Sequence, residues 1–224
     1  MKKLILVLLT ATALAGCKQQ ATPAPAPSEP ATAAAAAGPT SANGSPAGAY
    51  AVTAKNGTGS TTALNADGTY IDTDATGKVT GQGTWAVKDG KTCFTATKGD
   101  SGCYTESAPG ADGSFTATPE KGDAVTVKPI VVAAADMAGT YDFVNAGKAT
   151  TTVMKEDGSY TDSVDGKVTE SGTWTTKNGE TCFQDSEHKN PEQCWLTTKA
   201  DANGKFVATS TDGKTVLQIT KQKA

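Results

Sequence analysis

From residue 48 to the end of the chain, polar and apolar residues alternate over short stretches, and turn-forming residues separate these stretches. Threonine, valine and aromatic residues are frequent in them, whereas no long stretch has the periodicity of an amphipathic helix. This pattern favours short antiparallel strands. We therefore predict an all-β protein with about six to eight strands in each half of the body, arranged as a meander that closes into a small barrel or a sandwich.

The body of the chain consists of two copies of one sequence repeat. The stretch GTWAVKDGKTCF at 83–94 returns as GTWTTKNGETCF at 172–183, and matching segments on both sides extend the repeat over 48–130 and 138–224. Twelve of the thirteen aromatic residues form six equivalent pairs, which is more typical of a core than of a ligand-binding stripe. We therefore predict a tandem repeat of two β modules with filled interiors. The pairs are Tyr50 and Tyr141, Tyr70 and Tyr160, Trp85 and Trp174, Phe94 and Phe183, Tyr104 and Trp195, and Phe115 and Phe206.

The repeated stretch predicts a hairpin of defined register. An Asp-Gly pair at 89–90 suits a two-residue turn, because both positions of that turn need positive φ. Strand residues that oppose each other share a face, and faces alternate along a strand. Trp85, Val87 and Phe94 should then line the core face, while Cys93 points to the other face. The same register applies to the second copy.

The five cysteines divide into one near the amino terminus and one pair in each copy. Cys93 with Cys103 and Cys182 with Cys194 are expected to form disulfides that staple each hairpin from outside the core. A four-cysteine zinc site is the alternative, but the spacing lacks the CxxC pattern and the pairs lie far apart, so we expect no metal. The remaining cysteine, Cys17, belongs to the leader.

The first residues, MKKLILVLLTATALAGC, combine a positive start, an apolar stretch and small residues before a cysteine. They predict a signal peptide over 1–16. The Leu-Ala-Gly-Cys ending resembles the lipobox of bacterial lipoproteins, which implies a lipid on Cys17, and the Lys18 that follows implies the outer membrane. The segment 17–47 is rich in Ala, Pro, Thr and Ser, so we predict a disordered tether. The expected location is therefore the cell envelope, with the body held at a membrane by its lipid anchor.

The charge pattern restricts the partners. The formal net charge is −3, and all twenty basic residues are lysine. The planar guanidinium group of arginine is well suited to bind phosphate. The absence of arginine from a mildly acidic chain therefore argues against a nucleic-acid partner.

Residues that could carry chemistry are few. The single histidine, His188, lies in a polar stretch with Asp185, Glu187 and Glu192, which is typical of a solvated loop more than of a metal site. Asp67 and Asp157 fall in turns, and Asp72 and Asp162 are expected to face solvent from their strands. We expect no catalytic residue and no cofactor.

The order Gly-x-Tyr, Asp-Gly-Thr/Ser-Tyr, Gly-Thr-Trp resembles small lipocalin-like domains of bacterial envelope lipoproteins, including the amino-terminal barrel of the copper-homeostasis and envelope-stress lipoproteins. The chain lacks the Cys-x-x-Cys that those proteins carry after the first strand, so no functional residue is transferred. The expected function is a non-enzymatic interaction or structural module of the envelope with a protein partner. The alternative is a lipocalin-like carrier of a small hydrophobic ligand.

Overall fold

The computed structural model describes residues 39–223. Cys17, the expected signal peptide over 1–16 and most of the expected tether lie outside the described residues. Within the described part, each copy of the repeat forms a closed barrel of eight antiparallel strands, which confirms the all-β tandem prediction. Over the same residues, no helix has the length and apolar character needed to cross a membrane.

The strands of each barrel follow one another as a meander, and the last strand pairs with the first. In barrel 1 they are β1 (Gly48–Thr53), β2 (Gly59–Leu64), β3 (Thr69–Asp74), β4 (Val79–Lys88), β5 (Lys91–Ala96), β6 (Gly102–Glu106), β7 (Phe115–Pro119) and β8 (Val125–Pro129). A short helix, α1 (Ala134–Met137), lies between the barrels. In barrel 2 they are β9 (Gly139–Asn145), β10 (Lys148–Met154), β11 (Ser159–Val164), β12 (Lys167–Lys177), β13 (Glu180–Asp185), β14 (Gln193–Thr197), β15 (Lys205–Ser210) and β16 (Val216–Lys221). Closure leaves no strand edge unpaired in either sheet.

The predicted hairpin register is confirmed. Trp85 lies opposite Phe94, and Cys93 lies opposite Cys103. The turn residues Asp89 and Gly90 have φ values of 49° and 72°, as this turn requires. The equivalent pairs of the second copy are also formed.

Both disulfides are formed within their hairpins, between Cys93 and Cys103 and between Cys182 and Cys194. They lie on the outer face of the barrel, as expected, although Cys93 and Cys182 are themselves buried. The expectation for Val87 is wrong, because this residue is 45% exposed at the tip of its hairpin.

The interior of barrel 1 is filled by side chains from all around the sheet. Its buried cluster contains Tyr50, Leu64, Tyr70, Trp85, Phe115, Ala117 and Val127 together with Ala47, and Phe94 and Tyr104 pack against it. The indole N–H of Trp85 donates to the carbonyl of Asn65 at 3.0 Å, so the ring is buried without an unpaired polar atom. Trp174 makes the equivalent bond to Lys155 in barrel 2.

We call the end of each barrel at which its first strand begins the proximal end, and the opposite end the distal end. The proximal end of barrel 1 is covered by residues 39–47, which we call the N-terminal plug. Its Ala42 N–H donates to Thr92 Oγ1 at 2.9 Å, and Ala47 joins the interior cluster. The disordered tether predicted over 17–47 is therefore wrong for this last portion, because burial of these small residues offsets the cost of ordering them.

The proximal end of barrel 2 is covered differently. The Tyr141 hydroxyl donates to the carbonyl of Met137 at 2.7 Å, just as the Tyr50 hydroxyl donates to the carbonyl of Pro46 in barrel 1. Met137 packs against the interior, but no residue of α1 is fully buried. Barrel 2 thus has a shallower cover than barrel 1.

The two barrels pack against each other through outward-facing residues. Ala49, Ala63 and Ile71 of barrel 1 form a buried apolar cluster with Leu196 of barrel 2. These positions alternate with inward-facing residues along their strands, so the strands they occupy are apolar on both faces.

Polar bonds support the same interface. The Thr209 hydroxyl donates to the carbonyl of Gly77 at 2.8 Å, and the Ala49 N–H donates to the carbonyl of Asn178 at 2.6 Å. Gly77 has a φ of +79°, and a Cβ at this position would lie 2.5 Å from Val207 Cγ1. The interface therefore requires glycine at position 77 for both its backbone conformation and its close approach.

Candidate functional site

Barrel 2 contains a cavity of about 200 Å³ in its interior. Most of the lining is apolar and comes from several strands, with Tyr141, Phe143, Met154, Phe183, Trp195 and Phe206 among the large side chains. A cavity of about 150 Å³ is enough to hold benzene, so this space suits a ligand with one small ring or a compact aliphatic group. The prediction of a filled interior is therefore wrong for barrel 2.

The aromatic rings that line the cavity are fixed by contacts with one another. Tyr141 and Phe206, both in the lining, meet edge to face with centroids 5.9 Å apart. Phe183 of the lining meets the buried Tyr160 in the same way at 5.1 Å. Such contacts restrict the rings beyond what burial alone does. The walls of the cavity are consequently preorganised, which lowers the ordering cost of binding.

Two carboxylates enter the distal half of the cavity. Asp162 accepts a hydrogen bond from the Thr152 hydroxyl at 2.5 Å, and Glu170 accepts one from the Tyr160 hydroxyl at 2.5 Å. Burial raises the pKa of the Asp162 carboxyl, the hydrogen bond from Thr152 opposes this rise, and the Glu170 charge adds a smaller rise. Burial also raises the pKa of Tyr160, with its bond to Glu170 as the next cause. Both effects come mainly from the burial of Asp162 and Tyr160, because a poorly solvated environment disfavours the charged form of each group.

The expectation that Asp72 and Asp162 face solvent is wrong. Tyr70 and Asp72 are two residues apart on one strand, as are Tyr160 and Asp162, so in each barrel the carboxylate shares the inward face with the buried tyrosine. The Thr62 hydroxyl bonds Asp72 at 2.6 Å, which matches the bond at Asp162.

The second carboxylate distinguishes the two barrels. Asp162 pairs with Glu170 across β11 and β12, whereas Asp72 pairs with Gly81 at the equivalent position. Barrel 1 therefore carries one inward carboxylate at this level and barrel 2 carries two. A direct comparison of the two copies in the sequence would have shown the change from glycine to glutamate.

A buried hydroxyl without a partner lies at the proximal end of the cavity. Thr181 is 2% exposed and lines the cavity, and its Oγ1 makes no hydrogen bond within the described residues. The equivalent Thr92 is satisfied by the N-terminal plug through Ala42. Because an unpaired buried hydroxyl costs about 1–3 kcal/mol, Thr181 is a place where a polar ligand atom would gain a hydrogen bond.

The cavity opens at the distal end. Asn145, Glu170 and Gln193 line it and are exposed, and each lies at or near the distal end of its strand. A polar mouth above apolar walls is the usual composition of a small-molecule site, in which a few polar groups orient the ligand.

The other candidate residues do not converge on a site. Asp67 and Asp157 accept hydrogen bonds from the backbone and side chain of the residue two positions later, which confirms their role in turns. His188 lies on an exposed loop whose backbone N–H groups bind the Asp185 carboxylate, which lowers the pKa of that carboxyl.

One group of potential metal ligands lies close together in the described part of the chain, and it consists of Glu180, Cys182 and Cys194. Both sulfur atoms are joined in a disulfide, so neither offers the thiolate that a transition metal needs. This group is therefore not a suitable metal site in the oxidised protein.

Comparison of the whole chain with protein-family models, with curated proteins and with solved structures finds no match. The candidate site consequently depends on the geometry of barrel 2.

Proposed function

We propose that this chain is a lipid-anchored protein of the cell envelope whose second barrel binds and carries a small ligand. The observation that carries the proposal is the cavity of about 200 Å³, with preorganised aromatic walls and a polar mouth. An eight-stranded barrel is just large enough to enclose one small ligand.

The location follows from the leader. The Leu-Ala-Gly-Cys sequence ending at Cys17 supports lipidation, and the Ala/Pro-rich segment after it supports a tether between the membrane and the barrels. An anchored carrier would keep its cargo in the envelope.

The cavity favours a carrier over the interaction or structural module that the sequence first suggested. The outward apolar cluster around Ile71 packs between the two barrels, so it is not offered to another protein. We propose binding without catalysis, because apolar walls with a few polar groups at the mouth are the usual composition of a small-molecule binding site.

The test is native mass spectrometry of the full chain, purified from membranes without denaturation. We expect a bound small molecule, either carried through purification or taken up from an envelope extract. Ala208 is buried in the cavity lining, so Ala208→Leu should fill the space and abolish the added mass. Ala202→Leu, in an exposed turn, is the matched control and should retain it. A wild-type chain that takes up nothing from the extract would refute the proposal.

A further inference from the structure

The charge inside barrel 2 has no counterion from the protein. The lining contains Asp162 and Glu170 but no lysine, and the chain contains no arginine. None of the ion pairs formed within residues 39–223 involves either carboxylate. Their hydrogen bonds come from the neutral hydroxyls of Thr152 and Tyr160. Asp162 is partly buried, so its unpaired negative charge is costly there, and a ligand that brings positive charge would relieve that cost. Glu170 adds a second negative charge at the exposed mouth.

From this we infer that the ligand of barrel 2 is a small organic cation, an ammonium group on a compact apolar body, held between Asp162 and Glu170 and the aromatic walls. The inference rests on the proposed carrier function and specifies the chemistry of its ligand. It differs from the hydrophobic ligand expected of a lipocalin-like carrier.

The walls match this chemistry as well as the carboxylates do. Phe143, Phe183 and Trp195 line the same cavity. The face of an aromatic ring attracts an ammonium group, and more strongly when the cation is desolvated. The same rings favour the apolar body of the ligand.

The unpartnered Thr181 hydroxyl adds a second polar contact at the opposite end of the cavity. Thr181 is buried at the proximal end, whereas Glu170 is exposed near the distal mouth. A ligand that fills the space between them would place its ammonium toward the carboxylates and a hydroxyl or carbonyl toward Thr181. This separation favours a bifunctional ligand over a simple hydrocarbon.

A bare metal ion fits the cavity less well. The one close group of potential metal ligands in the described residues does not include Asp162 or Glu170. A hard cation would need several oxygen ligands at once, and most of this lining is aromatic or aliphatic.

The test uses two pairs of probes that differ in charge and little in shape: 2-phenylethylamine against 2-phenylethanol, and choline against 3,3-dimethyl-1-butanol. Binding is measured by isothermal titration calorimetry on the lipidated full chain in micelles of a non-ionic maltoside detergent, with empty micelles as the blank. We expect at least one cation to bind tenfold or more tightly than its neutral counterpart.

Single substitutions test which residues cause the preference for the cation. Asp162→Asn and Glu170→Gln should each reduce the preference for the cation by tenfold or more and leave binding of the neutral probe within about twofold. Thr181→Val should weaken the binding of choline and dimethylbutanol alike. Asp72→Asn, the equivalent change in barrel 1, is the matched control and should alter neither. The thermal midpoint of each variant verifies that it is folded.

The outcomes separate the inference from the proposed function. Equal or tighter binding of the neutral probes in wild type would overturn the cation and leave the carrier function standing. A cation preference that survives Asp162→Asn and Glu170→Gln would also overturn it. Failure of all four probes in wild type would overturn the inference, and the uptake of envelope molecules by mass spectrometry then decides the carrier function independently.

Discussion

Glu180 should make the stability of the protein fall as pH rises. This residue begins β13 opposite Lys177 and is only 8% exposed. Burial raises the pKa of its carboxyl from 4.5 to about 7, while Lys177 opposes the shift and Glu192 adds to it. The preceding turn residue Asn178 bonds to barrel 1. The carboxylate thus lies next to the contact between the barrels.

The direction in which stability changes with pH follows from the direction of the pKa shift of Glu180. Below pH 4.5 Glu180 is protonated in both the folded and the unfolded chain, so it costs nothing. Between pH 4.5 and about 7 the unfolded chain loses the proton while the folded chain keeps it, so the free energy of unfolding decreases as pH rises. Above that window the penalty is constant. A shift of this size corresponds to about 3 kcal/mol.

Glu180→Gln removes the titration and keeps the shape of the protonated side chain. We expect the variant to be about 3 kcal/mol more stable than wild type at pH 8, and within about 0.5 kcal/mol of it at pH 4. The assay is urea unfolding followed by tryptophan fluorescence at both pH values. Other shifted carboxyls titrate in both proteins, so their effects cancel in the difference.

Glu156→Gln, in an exposed turn, serves as the control and should leave stability unchanged at both pH values. A gain for Glu180→Gln of less than about 1 kcal/mol at pH 8, or the same gain at pH 4, would show that the carboxyl is not desolvated as the structure indicates.

Three further predictions test the interface, a disulfide and the anchor. Gly77→Ala and Gly166→Ala both place a side chain at positive φ, with a cost of about 1–2 kcal/mol each, but only at 77 would the Cβ lie 2.5 Å from a valine of barrel 2. Gly77→Ala should therefore lower the free energy of unfolding, measured in urea, by about 1–3 kcal/mol more than Gly166→Ala does. Equal losses in the two variants would contradict the close contact between the barrels at residue 77. Replacing Cys93 and Cys103 together with alanine should lower the free energy of unfolding by about 2–3 kcal/mol, and an unchanged urea midpoint would contradict this. Cys17→Ser should remove the acyl mass from the chain and its firm attachment to membranes; retention of both would disprove the anchor.

Much of the fold could be predicted because its signals are local. The Asp-Gly pair at 89–90 selects the turn, the turn sets the register, and the register puts Cys93 opposite Cys103. The repeat then carries the same geometry to the second copy. The prediction for Asp72 was wrong because this residue lies two positions after Tyr70 on the same strand and so shares its inward face.

The candidate site could not be predicted from local sequence, because its members are distant from one another along the chain. Neither Glu170 nor Thr181 stands out by itself in the sequence. Glu170 matters because its counterpart in barrel 1 is Gly81, which has no carboxylate. Thr181 matters because its counterpart Thr92 is hydrogen-bonded by the N-terminal plug. The interface left a similar signal, since Ile71 and Leu196 have threonines as their counterparts in the other copy. Comparing the copies with each other would have located Glu170, Ile71 and Leu196, whereas Thr181 has a threonine as its counterpart and differs only in its tertiary surroundings.

Local sequence was sufficient to define the strands, the turns, the hairpin register and the disulfide pairs, because each depends on residues within about a dozen positions of one another and on the conformational preferences of those residues. The closure of each barrel, the burial of the N-terminal plug, the face on which the barrels meet and the cavity in barrel 2 became visible only in the folded chain. These features depend on how well side chains from distant strands fill a shared volume, and shape complementarity of that kind arises only when the chain has folded.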